Sequence, residues 1–85
     1  MPELQVLVVD DEPAIRQVLS AALNKAGYPV ESAGSAAEAL AKLDKTAFDV
    51  VLCDVFMPVT DGIELIKLAR ARGHGATFII VTACA

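Results

Sequence analysis

Apolar residues along this chain follow two rhythms that take turns. Leu4-Gln5-Val6-Leu7-Val8-Val9 is a short, β-branched and nearly continuous apolar run, which is how a strand buried on both faces reads. It ends in Asp10-Asp11-Glu12-Pro13, where proline suits a first helical turn and acids suit the helix dipole. Ile15, Val18, Leu19, Ala22, Leu23 and Ala26 then recur at helical spacing, and Gly27 follows as a C-terminal stop. Pro29–Ala33 is a weaker strand candidate. Ser35 with Glu38 three residues on predicts a capping box for a second helix, whose apolar side carries alanines with Leu40 and Leu43. Phe48–Cys53 reads as a strand ending at Asp54, and residues 55–61 as a loop containing Met57-Pro58 and closed by Asp61-Gly62. Ile63, Leu65, Ile66 and Ala69 mark a third helix ending near Gly73. Thr77–Thr82 is a fourth buried-strand pattern. Strands alternating with helices predict right-handed crossovers and a parallel sheet with helices on both faces.

Composition narrows the function classes. The chain has 85 residues, enough for one small domain, and is 55% hydrophobic, against disorder. Asp10, Asp54 and Asp61 interrupt the apolar segments before any reaches membrane-spanning length, and Met1-Pro2-Glu3 lacks the positive start of a signal peptide. Eleven acids against seven bases leave a net charge of -4, with no basic cluster suited to nucleic acid. Lys67, Arg70 and Arg72 read as a solvated face. Cys53 and Cys84 read as small buried hydrophobes, which fits a reducing cytoplasm. His74, between Gly73 and Gly75, reads as a surface loop residue, and no zinc pattern or glycine-rich phosphate loop is evident.

The candidate chemistry is acidic. Sites in open parallel sheets lie beyond the carboxyl ends of the strands. Asp10 and Asp11 follow the first strand and Asp54 follows the third, so neighbouring strands would bring three carboxylates to one rim. Their repulsion calls for a cation, and oxygen ligands of this kind suit Mg²⁺. An aspartate beside such an ion can attack phosphorus and form an acyl phosphate. Thr82 ends the fourth strand on the same rim, where its hydroxyl could donate to a phosphoryl oxygen. Each residue also has an ordinary reading. Asp11 suits a helix N-cap, Asp61 a turn or cap, Asp54 a solvent-facing strand end and Thr82 a common strand position.

Together, Val6-Leu7-Val8-Val9-Asp10-Asp11-Glu12, the segment from Val50 to Gly62 and Ile79-Ile80-Val81-Thr82-Ala83 resemble the receiver domain of bacterial two-component response regulators. The resemblance covers essentially the whole chain. It implies an α/β, flavodoxin-like (CheY-like) fold over residues 1–85, with expected strand order 2-1-3-4 and the family's fourth helix, fifth strand and fifth helix missing. It implies that Asp54 accepts a phosphoryl group from a sensor histidine kinase or phosphotransfer protein. Asp11 and Asp54 would ligate Mg²⁺ through carboxylates, Phe56 through its backbone carbonyl, and Asp10 through water. Thr82 would be the switch hydroxyl, with Ala83 leaving room beside it. The family's lysine after the fifth strand has no counterpart here.

These readings carry expectations for behaviour. Such a domain assists its own phosphorylation and dephosphorylation and is not a turnover enzyme. With strand four at the edge, Phe78-Ile79-Ile80-Val81 would be exposed without a gatekeeping charge, so self-association through that edge is expected. The competing reading is a structural or oligomerising module that keeps the acidic metal site without switching. A phosphohydrolase using Asp54 is a third, for which the sequence offers neither a second acid/base nor a substrate-enclosing cap.

Overall fold

The computed structural model describes residues 4–54 and 62–81. Strands and helices alternate as β1 (Val6–Val9), α1 (Pro13–Lys25), β2 (Val30–Ala33), α2 (Ala36–Lys45), β3 (Val50–Asp54), α3 (Gly62–Ala71) and β4 (Thr77–Val81). The four strands form a parallel sheet in the order β2-β1-β3-β4, as the resemblance implies. β1 lies inside the sheet, and all four of its residues are buried.

Two strands start later than their apolar runs. β1 begins at Val6 and β3 at Val50 because the entry is spanned by a different set of bonds. The Gln5 N–H donates to the Asp49 carboxylate at 2.8 Å, and the Gln5 carbonyl accepts from the amides of Asp49 and Val50 at 2.9 and 3.2 Å. Phe48 is still buried, in the core on one face of the sheet.

The helix ends follow the sequence signals closely. Pro13 opens α1, and Gly27 lies just beyond its end at φ +98°, in the left-handed region that favours glycine. The Tyr28 amide bonds back to the Leu23 carbonyl and the Gly27 amide to the Asn24 carbonyl, both at 3.0 Å, which is a Schellman ending. α3 ends the same way at Gly73, φ +84°, with the His74 amide on the Ala69 carbonyl. The Ser35 hydroxyl accepts from the Glu38 amide at 3.1 Å, as the capping box predicts. The return bond differs: the Glu38 carboxylate accepts from the Gly34 amide at 3.2 Å, one residue before the N-cap.

The two faces of the sheet are covered unequally. Leu7, Val9, Val51 and Cys53 pack on one face with Ala36, Ala39, Leu40 and Leu43 of α2 and Leu65 and Ala69 of α3. The small alanines let α2 sit close to the strands. On the other face α1 packs against β1 and β2, and none of its own residues is buried. An apolar groove remains beside it, lined by residues including Leu4, Val6, Leu23, Tyr28, Leu52 and Ile79. β4 forms one end of the described sheet, with Ile79 46% and Ile80 36% exposed.

This division sets the expected cost of truncation. Leu65→Ala, at a site with no exposure, is expected to cost about 2–5 kcal/mol in chemical denaturation. Ile63→Ala, two residues away and 46% exposed, should change stability far less. Equal costs would contradict the placement of the core.

Candidate functional site

Three carboxylates meet at the carboxyl ends of β1 and β3. The strands pair with Val9 opposite Cys53, so Asp10 and Asp54 leave the sheet side by side. One oxygen each from Asp10, Asp11 and Asp54 lies within 4.8 Å of the others. Asp10 and Asp54 are buried and Asp11 is half-buried.

The turn after β1 is fixed by local bonds. The Asp10 amide continues the ladder to the Ala33 carbonyl at 3.1 Å. The Asp10 carboxylate accepts from the Glu12 amide at 2.9 Å, closing an Asx-type turn. Arg16 reaches back from α1, and its Nη1 donates to the Asp10 carbonyl at 2.6 Å. The N-cap of α1 is Glu12, in extended conformation and without a side-chain capping bond. Asp11 is therefore not the N-cap that its position in the sequence also suited, and its carboxylate is with the acidic group instead.

Electrostatics at the rim are unfavourable without a cation. Burial pushes the Asp10 carboxyl above its ordinary value; the negative charges of Asp54 and Asp11 push the same way, and the Glu12 amide pulls against them. A raised acid favours the fold while it is protonated. The contribution of Asp10 is thus full below its unfolded value of 3.8 and is lost as pH rises through the raised folded value. In the folded protein the ionised form of Asp10 is therefore disfavoured by burial and by its acidic neighbours. Burial, helped by Asp54, also lifts the Cys53 thiol to about 11, so Cys53 behaves as the small core hydrophobe expected.

A set of three hard oxygen donors around one point, two of them buried, fits Mg²⁺. The other expected contributors, Phe56 and Thr82, lie outside the described residues, as do Met57, Pro58, Asp61, Ala83 and Cys84.

Elsewhere one reading changes, that of His74, while Lys67, Arg70 and Arg72 are exposed as expected. His74 is in a loop, but it is half-buried and its Nε2 lies 2.9 Å from the Asp44 carboxylate, which also accepts from Arg72 at 2.5 Å. That cluster joins the end of α2 to the turn after α3. Arg70 is exposed but its guanidinium sits 5.5 Å from the centre of the Phe78 ring, and Arg72 falls beyond α3. Proximity of Asp44 to residues 28 and 30 positions later carries no local sequence signal.

A family model described as the response regulator receiver domain matches residues 6–85. The chain belongs to this family. A receiver domain of this kind is found in relatives of differing build. The transcriptional regulatory protein TrcR of Mycobacterium tuberculosis is 42% identical over 80 residues, which are 94% of this chain and 31% of that protein. The sensor histidine kinase RcsC of Salmonella typhimurium is 40% identical over 81 residues, 95% of this chain and 8% of that protein. The response regulator TrrA of Thermotoga maritima, solved in complex with Mg(2+)-BeF, superposes with TM-score 0.88 at 36% identity, over 96% of this chain and 71% of that one. The chain thus spans about a third of TrcR and a small fraction of RcsC.

The strain at Asp10 predicts opposite effects of one substitution. Asp10→Asn keeps an acceptor for the Glu12 amide and removes the buried charge. It should stabilise the cation-free receiver domain by roughly 0.5–2 kcal/mol at pH 7 and weaken Mg²⁺ binding. Thermal melts with and without Mg²⁺ test both; a destabilised cation-free protein would contradict the charge argument.

Proposed function

We propose that Asp54 accepts a phosphoryl group from the phosphohistidine of a sensor histidine kinase or phosphotransfer protein, in Mg²⁺-dependent two-component signalling. Phosphoryl acceptance on aspartate is the function of the family, and the observation that carries the assignment to Asp54 is its place at the end of β3 among three converging carboxylates. An Asp54 oxygen attacks phosphorus, a P–O bond forms, the P–N bond to the donor histidine breaks, and the imidazole leaves with the electron pair. Asp11 and Asp54 would hold Mg²⁺ directly, Phe56 through its carbonyl and Asp10 through water. When bound, the ion supplies positive charge to the phosphoryl oxygens. The Thr82 hydroxyl would donate to the phosphoryl group after transfer. The domain assists its own phosphorylation and hydrolysis and is not a turnover enzyme.

Two further parts of the reading concern surroundings. Exposure of Ile79 and Ile80 on the end strand of the described sheet supports self-association there. Among the described residues no helix is long and apolar enough to cross a membrane. A cytoplasmic setting, with kinases rather than nucleic acid as the direct partners of this segment, agrees with the acidic net charge of -4.

The expected result with a small phosphodonor such as acetyl phosphate is Mg²⁺-dependent phosphorylation mapped by mass spectrometry to Asp54. It should be abolished in Asp54→Ala and by chelation. Equal labelling of Asp54→Ala would overturn the assignment. Sedimentation velocity should show concentration-dependent association that Ile79→Lys weakens; a monomer at every concentration would remove the edge from the account.

A further inference from the structure

We infer that Arg16 is a positioning residue for the acidic site and that Gly34 is glycine to leave room for it. Arg16 projects from α1, half-buried, and its Nη1 donates to the Asp10 carbonyl at 2.6 Å. That carbonyl belongs to the peptide joining Asp10 to Asp11. The bond therefore fixes the plane from which both carboxylates leave the backbone, at the point where mutual repulsion would spread them. A hydrogen bond from a charged donor is among the stronger kinds.

Gly34, in the turn between β2 and α2, closes the other side. Its backbone does not need glycine, since positive φ among the described glycines occurs at Gly27 and Gly73. Space is the constraint instead. A Cβ on Gly34 would lie 3.0 Å from Arg16 Nη1 and 3.4 Å from its Cζ. The atoms met are the far end of a flexible side chain, so Gly34→Ala would move the guanidinium and leave the backbone in place. One residue thus holds the acidic turn and a second, eighteen positions away, holds the first.

The sign of the effect separates positioning from simple charge. A cation near the site opposes a bound Mg²⁺, so removing the Arg16 charge would by electrostatics alone tighten binding. Positioning demands the reverse. Arg16→Met keeps the apolar stem and loses the donor and charge, whereas Gly34→Ala keeps the charge and moves it. Each should weaken Mg²⁺ binding about tenfold, the low end for loss of an outer-shell partner. The Mg²⁺ part rests on the proposed function; the geometry of the turn does not.

The experiment is the cycle of Arg16→Met, Gly34→Ala and the double variant. It reads the Asp11 amide nitrogen resonance without cation and Mg²⁺ affinity by calorimetry, with melting temperature as a check on folding. Both single variants should shift the Asp11 resonance in the same direction, and the double variant should match Arg16→Met in resonance and affinity. An unmoved Asp11 resonance in Gly34→Ala, additive effects, or tighter Mg²⁺ binding by Arg16→Met would overturn the inference. Asp54→Ala is included separately: if it binds Mg²⁺ as well as the parent, the proposed metal site falls, while the Asp11 resonances still decide the role of Arg16.

Discussion

Repulsion among Asp10, Asp11 and Asp54 is the constraint around which the rest of the domain is arranged. Carboxylates this close repel one another and call for a cation, and two of these are buried. Their placement follows directly from topology. β1 and β3 are neighbours in register, so the residue after one and the last residue of the other must emerge together. No long-range side-chain pairing is needed to bring them there. What is needed is enough packing behind them to keep the strands adjacent. Val9 and Cys53, immediately behind Asp10 and Asp54, are each 1% exposed in the core shared with α2 and α3.

The same alternation that fills this core leaves the opposite face less covered by the described residues. Leu52 and Ile79 are paired and share that face by the pleat, and both line the groove beside α1. Leu52 is two residues before Asp54, so the groove and the acceptor belong to one face of one strand. Cover for that face and order at the acceptor are consequently adjacent problems in this fold. Ion pairs among the described residues contribute little there. Lys42 and Glu31 are 3.6 Å apart and the Asp44 cluster is substantially exposed, and such pairs contribute little in water.

Much of this was legible in the sequence because the signals are local. Short, nearly continuous apolar runs and spacings of three and four marked every described element; Pro13, Gly27, Ser35 and Gly73 mark helix ends for reasons that depend on their own backbone. The acidic site was legible because strand ends converge in a parallel sheet. What escaped depends on partners distant in sequence. The late starts of β1 and β3 reflect Gln5 meeting Asp49, forty-four residues away. His74 looked like a surface residue because Asp44 was not known to face it. The N-cap is Glu12 and not Asp11, whose carboxylate lies with Asp10 and Asp54, residues that come together only through the pairing of β1 with β3. Arg16 and Gly34 fell between these cases: each has an ordinary local reading, and only their approach in space connects them to the rim.

That connection explains how a strained site persists in a small domain. Local rules are kept nearly everywhere: Schellman endings close α1 and α3, a serine caps α2, and the interior strand is wholly buried. They are broken at one place, where acids are gathered and partly desolvated, and such a break marks function more reliably than any residue type alone. A site under internal repulsion would relax by rotating its peptides outward. Here both peptides that flank Asp10 are tied, the preceding one by the Asp10 amide to Ala33 and the following one by the Asp10 carbonyl to Arg16, while the Asp10 carboxylate is tied to the Glu12 amide. The repulsion therefore remains in the electrostatics, available to be relieved by a cation, because the backbone has no inexpensive way to release it.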